Sequence, residues 1–329
     1  MDIADLTRGV IAGERRALAR AITLVESARA DHKAQATALL EALPKDRQAL
    51  RIGLSGTPGV GKSTFIEAFG MMLVERGLKV AVLAVDPSST RSGGSILGDK
   101  TRMDRLSRAE GAFIRPSPSQ THLGGVARRS REVVALCEGA GFDVILIETV
   151  GVGQSETVVA QMADIFLLLL APAGGDELQG VKRGIMEIAD IILINKADGD
   201  LKPAATRTCA DYAGALRLLR KRPQDPEEIP KAMMVSAAEN TGIEDVWQDL
   251  ESVRAWRAEH GFWDRTRADQ ARYWFEEEVK TALLSQLQTP QARRALAELG
   301  AAVAKGETAP SAAAAEFLAG LSQGEASNA

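Results

Sequence analysis

The sequence has few cysteines and few aromatic residues. Of its 329 residues only two are cysteine, Cys137 and Cys209, and neither belongs to a CxxC pair. This usage indicates neither a disulfide framework nor a zinc motif, and it favours a reduced, cytoplasmic location. Phenylalanine, tryptophan and tyrosine make up 4% of the chain. The core must therefore be built mainly from aliphatic side chains.

Long apolar runs and a large charge imbalance are also missing. The most apolar stretch, residues 165–171, is far too short to span a bilayer. Residues 1–27 are charged throughout, unlike a signal peptide or a membrane anchor. The net charge of −4 gives no general attraction to nucleic acid or to an anionic membrane. We therefore expect neither as a partner.

Short apolar runs alternate with helical stretches in the middle of the chain. Most of these runs are apolar throughout, which is typical of strands buried on both faces of a parallel sheet. They lie at residues 52–55, 80–86, 144–148, 165–171, 191–195 and 233–236. The succession predicts an α/β fold with a doubly wound, mostly parallel sheet.

The two ends of the chain show helical periodicity instead. Apolar residues recur at three- and four-residue steps before Pro44, and the strand-like runs stop after about residue 260. We therefore divide the chain into an N-terminal helical extension at 1–48, an α/β domain at 49–260 and a C-terminal helical arm at 261–329.

A phosphate-loop motif follows the first predicted strand. Residues 56–63 read GTPGVGKS and match GxxxxGK[ST], with an apolar helix after them. The glycines allow backbone N–H groups to point at phosphate oxygens, Lys62 supplies a charge to the β and γ phosphates, and the Ser63 hydroxyl can bind Mg²⁺. We assign nucleotide binding to Gly56, Thr57, Pro58, Gly59, Val60, Gly61, Lys62, Ser63 and Thr64, and a catalytic role to Lys62 as well.

A second motif selects the base. Residues 195–198 read NKAD directly after an apolar strand, the NKxD pattern of GTPases. The Asp198 carboxylate can accept hydrogen bonds from N1–H and the exocyclic amine of guanine, whereas adenine would leave it unpaired. Asn195 is expected to brace the loop, and the stem of Lys196 to cover one face of the base. The backbone at Ser236 and Ala237 is expected to read the guanine carbonyl. This predicts GTP and GDP as ligands.

Acidic residues at strand ends are candidates for the metal site. Asp86 and Glu148 end apolar strands whose carboxyl ends open towards the phosphate loop. Oxygen ligands of this kind bind Mg²⁺ directly or through water, and Asp99 is a further candidate. Surface acids that cap helices or are solvated remain the alternative for all three. We also assign a catalytic role to Glu148.

The segment after Glu148 is expected to sense the nucleotide. Gly151 would donate its backbone N–H to the γ-phosphate. Many small GTPases carry a water-orienting Gln directly after this glycine, but here Val152 occupies the position and Gln154, our third catalytic candidate, comes two residues later. We therefore expect slow intrinsic GTP hydrolysis that a partner accelerates.

Several longer motifs together resemble the MeaB/ArgK family of GTPases. The phosphate loop and NKAD are general to GTPases. The more specific stretches are VDPSS at 85–89, RSGGSILGDKTRM at 91–103, IRPSPSQTHLGG at 114–125, ETVGVGQSE at 148–156 and GDELQGVKRGIME at 175–187. The resemblance covers the whole GTPase domain and extends to both helical flanks.

The resemblance implies a specific role. Members of this family are chaperones of adenosylcobalamin-dependent methylmalonyl-CoA mutase, and they couple GTP binding and hydrolysis to cofactor loading and protection of the mutase. Members are homodimers that use the C-terminal arm. In the family, Asp86, Asp99 and Glu148 correspond to acids near Mg²⁺. A loop at residues 174–182, with Asp176, Gln179 and Lys182, corresponds to a switch that senses the mutase.

Other functional classes fit the motifs of this sequence less well. The DxHxxG cobalamin-binding pattern is absent, so we expect no cobalamin bound directly. A metallochaperone-type GTPase serving another metalloenzyme is the alternative function, but it would favour a His-rich or Cys-rich tract, and the chain has three scattered histidines. A kinase or transport ATPase conflicts with NKAD, and a targeting GTPase would need a Met-rich domain.

Overall fold

The chain forms two compact units in a computed structural model. The structure describes residues 2–27, 29–85, 103–115, 123–149, 155–172 and 183–326. The first unit is Met1–Gln270 and the second is Ala271–Ala329. The three-part division at residues 48 and 260 stays a prediction.

A seven-stranded sheet forms the centre of the first unit, and every pairing in it is parallel. Its spatial order is β3-β2-β4-β1-β5-β6-β7. The strands are β1 Leu50–Ser55, β2 Val80–Val85, β3 Ala112–Arg115, β4 Val144–Thr149, β5 Ile165–Leu170, β6 Ile191–Ile194 and β7 Lys231–Met234. The predicted α/β fold with a parallel sheet is confirmed.

The two edge strands differ from the sequence prediction. β3, with the sequence AFIR, was not predicted, because four residues ending in arginine carry too little pattern. β7 begins two residues earlier than expected. All four of its residues are only half-buried, so its sequence lacks the continuous apolar run that marks the inner strands. The five inner strands are buried along almost their whole length, which is why their apolar runs were easy to recognise.

The described residues of the first unit form ten α-helices besides the sheet, and an eleventh helix begins in this unit. They are α1 Ile3–Ile11, α2 Arg15–Val25, α3 Ala30–Glu41, α4 Lys62–Glu75, α5 Asp104–Arg108, α6 Leu123–Gly139, α7 Ser155–Ala160, α8 Arg183–Ile188, α9 Lys202–Leu216, α10 Ile243–Glu259 and α11 Phe262–Gln286. α1 to α3 form the N-terminal helical region expected before Pro44. No described helix is long and apolar enough to cross a bilayer.

One large apolar cluster fixes the helix that follows the phosphate loop. Alternate residues of β1 belong to the same buried cluster as the fully buried Phe65 and Phe69 of α4. These two rings stack with centroids 5.4 Å apart, and Trp247 of α10 lies 6.1 Å from Phe69. Burial of aromatic rings of this size stabilises the position of α4 by several kcal/mol, at roughly 25 cal/mol per Å². The first turn of α4 is therefore held rigidly at the end of β1.

A buried ionic network lies at the opposite, amino-terminal edge of the sheet. The Arg257 guanidinium donates to Asp190 at 2.6 Å, to Asp225 at 2.5 Å and to the Asp164 carbonyl at 2.6 Å. Burial lowers the pKa of Arg257, but the two carboxylates raise it by more, so the net shift is upwards. Arg267 binds the Asp164 carboxylate at 2.6 Å. The network fastens α10 and the start of α11 to the strands.

The second unit is helical. It contains the later part of α11, then α12 Pro290–Ala304 and α13 Pro310–Ala326. Thr289 caps α12 by accepting from the Ala292 N–H at 3.2 Å, with Pro290 in the first turn. Phe275, Val279 and Leu283 are exposed on successive turns of α11.

Candidate active site

The phosphate loop connects β1 to α4 through two glycines that no other residue could replace. Gly56 has φ 155°, and a Cβ there would lie 2.3 Å from the Leu169 carbonyl oxygen. Gly61 has φ 89°, and a Cβ there would lie 2.7 Å from Asn195 Nδ2. Both positions combine a left-handed backbone with contact on the side where a side chain would point. The predicted loop geometry is therefore built into the backbone.

Lys62 begins α4 and turns back over the loop. Its Nζ donates to the Gly56 carbonyl at 2.6 Å. Thr57, Pro58 and Gly59 are exposed around it, while α4 directs its amino-terminal N–H groups to the same side. A cation, the amino-terminal end of a helix and an exposed glycine loop form a site suited to phosphate.

Asn195 joins the base side of the site to the phosphate loop. Its Nδ2 donates to the Val60 carbonyl at 2.9 Å and to the Gly61 carbonyl at 3.4 Å. Its Oδ1 accepts from the Ala237 N–H at 3.2 Å. The side chain is 1% exposed, so these three bonds replace water completely. One buried amide thus holds three loops together.

The remaining base-side residues lie around this amide. The Ser236 hydroxyl donates to the half-buried carboxylate of Asp198, and it accepts from the Glu239 N–H at 3.1 Å. Lys196, at φ 59°, reaches back so that its Nζ donates to the Gly59 carbonyl at 2.7 Å. The NKAD segment, the phosphate loop and the Ser236-Ala237 segment, distant in sequence, therefore form one continuous surface.

The ends of β1 and β4 meet beside the phosphate loop. Glu148 is paired in register with Leu54 and is 4% exposed. Its neighbour Thr149 donates its hydroxyl to Ser55 Oγ at 3.0 Å. Ser63 lies in the first turn of α4 and is half-buried, and Thr64 beside it is exposed. These positions place hard oxygen donors at the carboxyl edge of the sheet, as a magnesium site needs.

Several predicted residues lie outside the described part of the chain. They are Asp86, Asp99, Gly151, Gln154, Asp176, Gln179 and Lys182. Within the described residues, no group of three or more His, Cys, Asp or Glu side chains is arranged to hold a metal.

Two features of the site were not predicted. The hydroxyl groups of Ser55 and Thr149 were overlooked, although polar residues at the ends of apolar strands were available as a signal. The side-chain role of Ser236 was also missed, because only its backbone was considered. For Lys196 the prediction concerned the stem, while the structure shows where its ammonium group binds.

Comparison with known proteins identifies the family. The family described as "Methylmalonyl Co-A mutase-associated GTPase MeaB" matches residues 18–292. "GTPase ArgK" of Escherichia coli is 49% identical over 87% of this chain and 86% of its own length. "Methylmalonic aciduria type A homolog, mitochondrial" of Mus musculus is 47% identical over 94% of this chain and 77% of its own.

A solved structure agrees with this assignment over the whole length. The crystal structure of a "LAO/AO transport system kinase" superimposes with a TM-score of 0.75 at 38% identity, and the match covers 97% of both chains. The resemblance to the MeaB/ArgK family is thereby confirmed, together with the phosphate-loop fold. The chain belongs to the MeaB family of methylmalonyl-CoA mutase-associated GTPases, binds guanine nucleotide and hydrolyses GTP.

Proposed function

We propose that this GTPase is a chaperone that couples GTP binding and hydrolysis to adenosylcobalamin loading and protection of methylmalonyl-CoA mutase. The observation that carries the proposal is the family match over residues 18–292, since the family is described by its association with that mutase. The mouse relative, named for methylmalonic aciduria, supports the same partner. The output of the GTPase cycle is then the state of a second enzyme.

In this proposal the nucleotide lies across the surface built by the three loops. Residues 56–64 enclose the phosphates, with Lys62 opposite the β and γ groups. Asp198 reads guanine, oriented by the Ser236 hydroxyl, and the Asn195 amide keeps both ends of the site in register. The Ala237 segment contributes to the base pocket. The discrimination against adenine comes from the carboxylate, which adenine cannot pair.

Magnesium fits the donors at the phosphate end. The Ser63 hydroxyl and the buried Glu148 carboxylate are oxygen ligands of the type that Mg²⁺ prefers, and Asp86 and Asp99 are the further candidates from the sequence. When bound, the ion neutralises phosphate charge. Glu148 would hold the ion directly or through water, and Gly151 and Gln154 are assigned to γ-phosphate sensing and water positioning. With Val152 at the usual glutamine position, intrinsic turnover is slow and the partner accelerates it.

The partner-sensing role belongs to the segment with Asp176, Gln179 and Lys182. Cobalamin is not bound by this chain directly, because the sequence lacks the DxHxxG pattern. The protein acts in the cytoplasm, without nucleic acid or membrane as a partner. We assign the helical residues 261–329 to homodimerisation, because exposed apolar side chains on successive turns of one helix need a covering surface.

The proposal is tested by measuring GTP turnover with and without purified methylmalonyl-CoA mutase. We expect the mutase to form a complex and to accelerate hydrolysis, and the Lys182→Ala variant to lose the acceleration while keeping basal turnover. A mutase that neither binds nor accelerates would exclude the proposed partner and leave the GTPase itself intact. A pull-down from the native cell would then identify the protein that is served.

A further inference from the structure

Ser55 and Thr149 form a buried hydroxyl pair at the point where β1 and β4 separate. The register between these strands runs from Leu50 and Val144 to Leu54 and Glu148. Beyond it, Ser55 pairs with Leu168 of β5, whereas Thr149 pairs with Val85 of β2. The 3.0 Å bond from Thr149 Oγ1 to Ser55 Oγ therefore joins the two strands after their backbone ladder has ended.

Both hydroxyl groups lie in the interior. Thr149 is 0% exposed and Ser55 is 2% exposed, so water does not compete for the bond. A buried hydroxyl without a partner is costly. The pair consequently behaves as one unit, and loss of either hydroxyl removes the bond.

The positions of the two residues in the chain connect the bond to the reaction. Ser55 directly precedes Gly56, whose carbonyl holds the Lys62 ammonium at 2.6 Å and whose backbone lies against Leu169. Thr149 directly follows Glu148 and precedes the sequence that contains Gly151. One side-chain bond thus ties the start of the phosphate loop to the end of the strand that carries the acid beside it.

We infer that Thr149 is a positioning residue for GTP hydrolysis: its hydroxyl, through Ser55, sets the distance between the phosphate loop and the end of β4. The inference rests on the GTPase activity of the chain and does not depend on the mutase. GDP binding uses the groups of residues 56–64 and 195–198, and neither hydroxyl of the pair belongs to these segments. The step that needs both strand ends together is the cleavage of the γ-phosphate, where a small misplacement is costly.

The test is the isosteric substitution Thr149→Val, which keeps the shape and removes the hydroxyl. We expect kcat for GTP to fall by about fivefold or more, the equivalent of one buried hydrogen bond. The dissociation constant for GDP should change by less than about twofold, and Thr149→Ser should restore most of the rate. All assays use the full chain without mutase, so the outcome is independent of the proposed partner.

The control and the double mutant separate positioning from general stability. Thr7→Val removes a buried hydroxyl bonded to the Ile3 carbonyl at 2.8 Å in α1, and it should leave kcat unchanged. Ser55→Ala should lower kcat as much as Thr149→Val does, and the double variant should be no slower than either one. Normal kcat in Thr149→Val, or independent multiplicative effects of the two substitutions, would overturn the inference. If Thr149→Val fails to fold, Ser55→Ala and Thr149→Ser decide the question alone.

Discussion

The side-chain nitrogen of Asn195 lies 2.9 Å from the carbonyl oxygen of Val60, a residue 135 positions earlier in the chain. The contact joins the loop assigned to the base with the loop assigned to the phosphates. Because Asn195 also accepts from the Ala237 N–H, its amide joins three loops of the candidate site. The base and phosphate ends are therefore connected through one buried side chain.

Replacing Asn195 by Ala should weaken GTP and GDP together. The substitution removes all three hydrogen bonds and leaves a buried carbonyl and a buried N–H unpaired, at about 1 kcal/mol or more each. We expect both dissociation constants to rise by about 30-fold or more, measured by isothermal titration calorimetry. Gln248→Ala removes an amide from an exposed position on α10 and serves as the control. A variant that weakened only one nucleotide would contradict the coupling.

Replacing Asp198 by Asn should change the preferred base. The carboxamide can no longer accept from both N–H groups of guanine, which costs about 1–3 kcal/mol of discrimination. Xanthine carries a carbonyl where guanine has its amine, so the new amide can donate to it. We expect weaker GTP binding and stronger xanthosine triphosphate binding in competition assays. Asp200→Asn, exposed two residues later, should leave the preference for guanine unchanged, and an unchanged preference in Asp198→Asn would refute the assignment.

The inner part of the fold could be read from the sequence because its signals are local. Five strands are buried over nearly their whole length and three of them are apolar throughout, so length and composition marked this part of the sheet. The edge strands β3 and β7 each pair with only one neighbour and have only four residues, so their sequence pattern is weaker. Their existence or boundaries depend on tertiary pairing, which a local pattern does not contain.

The candidate site likewise has a part that the sequence predicts and a part that depends on tertiary contacts. The phosphate loop and NKAD are contiguous motifs, and their spacing alone predicted where Lys62 and Asp198 belong. The bond between Ser55 and Thr149 links residues 94 positions apart, and no motif specifies that separation. The contact of Lys196 with Gly59 is likewise a consequence of two loops meeting. The residue types predicted the chemistry of the candidate site, whereas the hydrogen-bond partners of each side chain could be identified only from the fold.

Arg257 should be essential for stability and dispensable for chemistry. Arg257→Met would leave the buried carboxylates of Asp190 and Asp225 without this cation, and breaking a buried pair in this way costs about 3–5 kcal/mol. Urea unfolding should show this loss. Arg254→Met, at an exposed position on the same helix, should cost less than about 1 kcal/mol. Equal losses in the two variants would show that the network contributes nothing beyond surface contacts.

Stability at alkaline pH should depend on Cys137. Burial raises the pKa of this thiol well above its ordinary value of 9.0. The folded chain therefore keeps a proton that the unfolded chain releases above pH 9, and the free energy of unfolding must fall as the pH rises through that range. Between pH 9 and pH 10.5 we expect the wild-type chain to lose about 1–2 kcal/mol relative to Cys137→Ala.

The second cysteine provides the control for that experiment. Burial also raises the pKa of Cys209, but this residue is only half-buried, so Cys209→Ala should change the alkaline slope less. Thiol labelling gives a second measurement: Cys209 should react slowly in the folded chain, and Cys137 only after denaturation. Rapid labelling of both thiols in the folded chain would contradict the burial of Cys137.

The proposed homodimer can be tested on the exposed face of α11. Phe275 is 67% exposed and Leu283 is 57% exposed, two turns apart on one helix. Glutamate at both positions would place two carboxylates in any interface that covers this face, and burial of unpaired charge opposes association. Light scattering should then give the monomer mass of 35.1 kDa, whereas the apolar control Phe275→Leu with Leu283→Met should remain dimeric.

GTP affinity should change by less than about twofold, because every residue of the nucleotide site belongs to the first unit and surface substitutions elsewhere have small effects. A wild-type chain that is monomeric at micromolar concentration, or a glutamate variant that stays dimeric, would exclude this face as the interface.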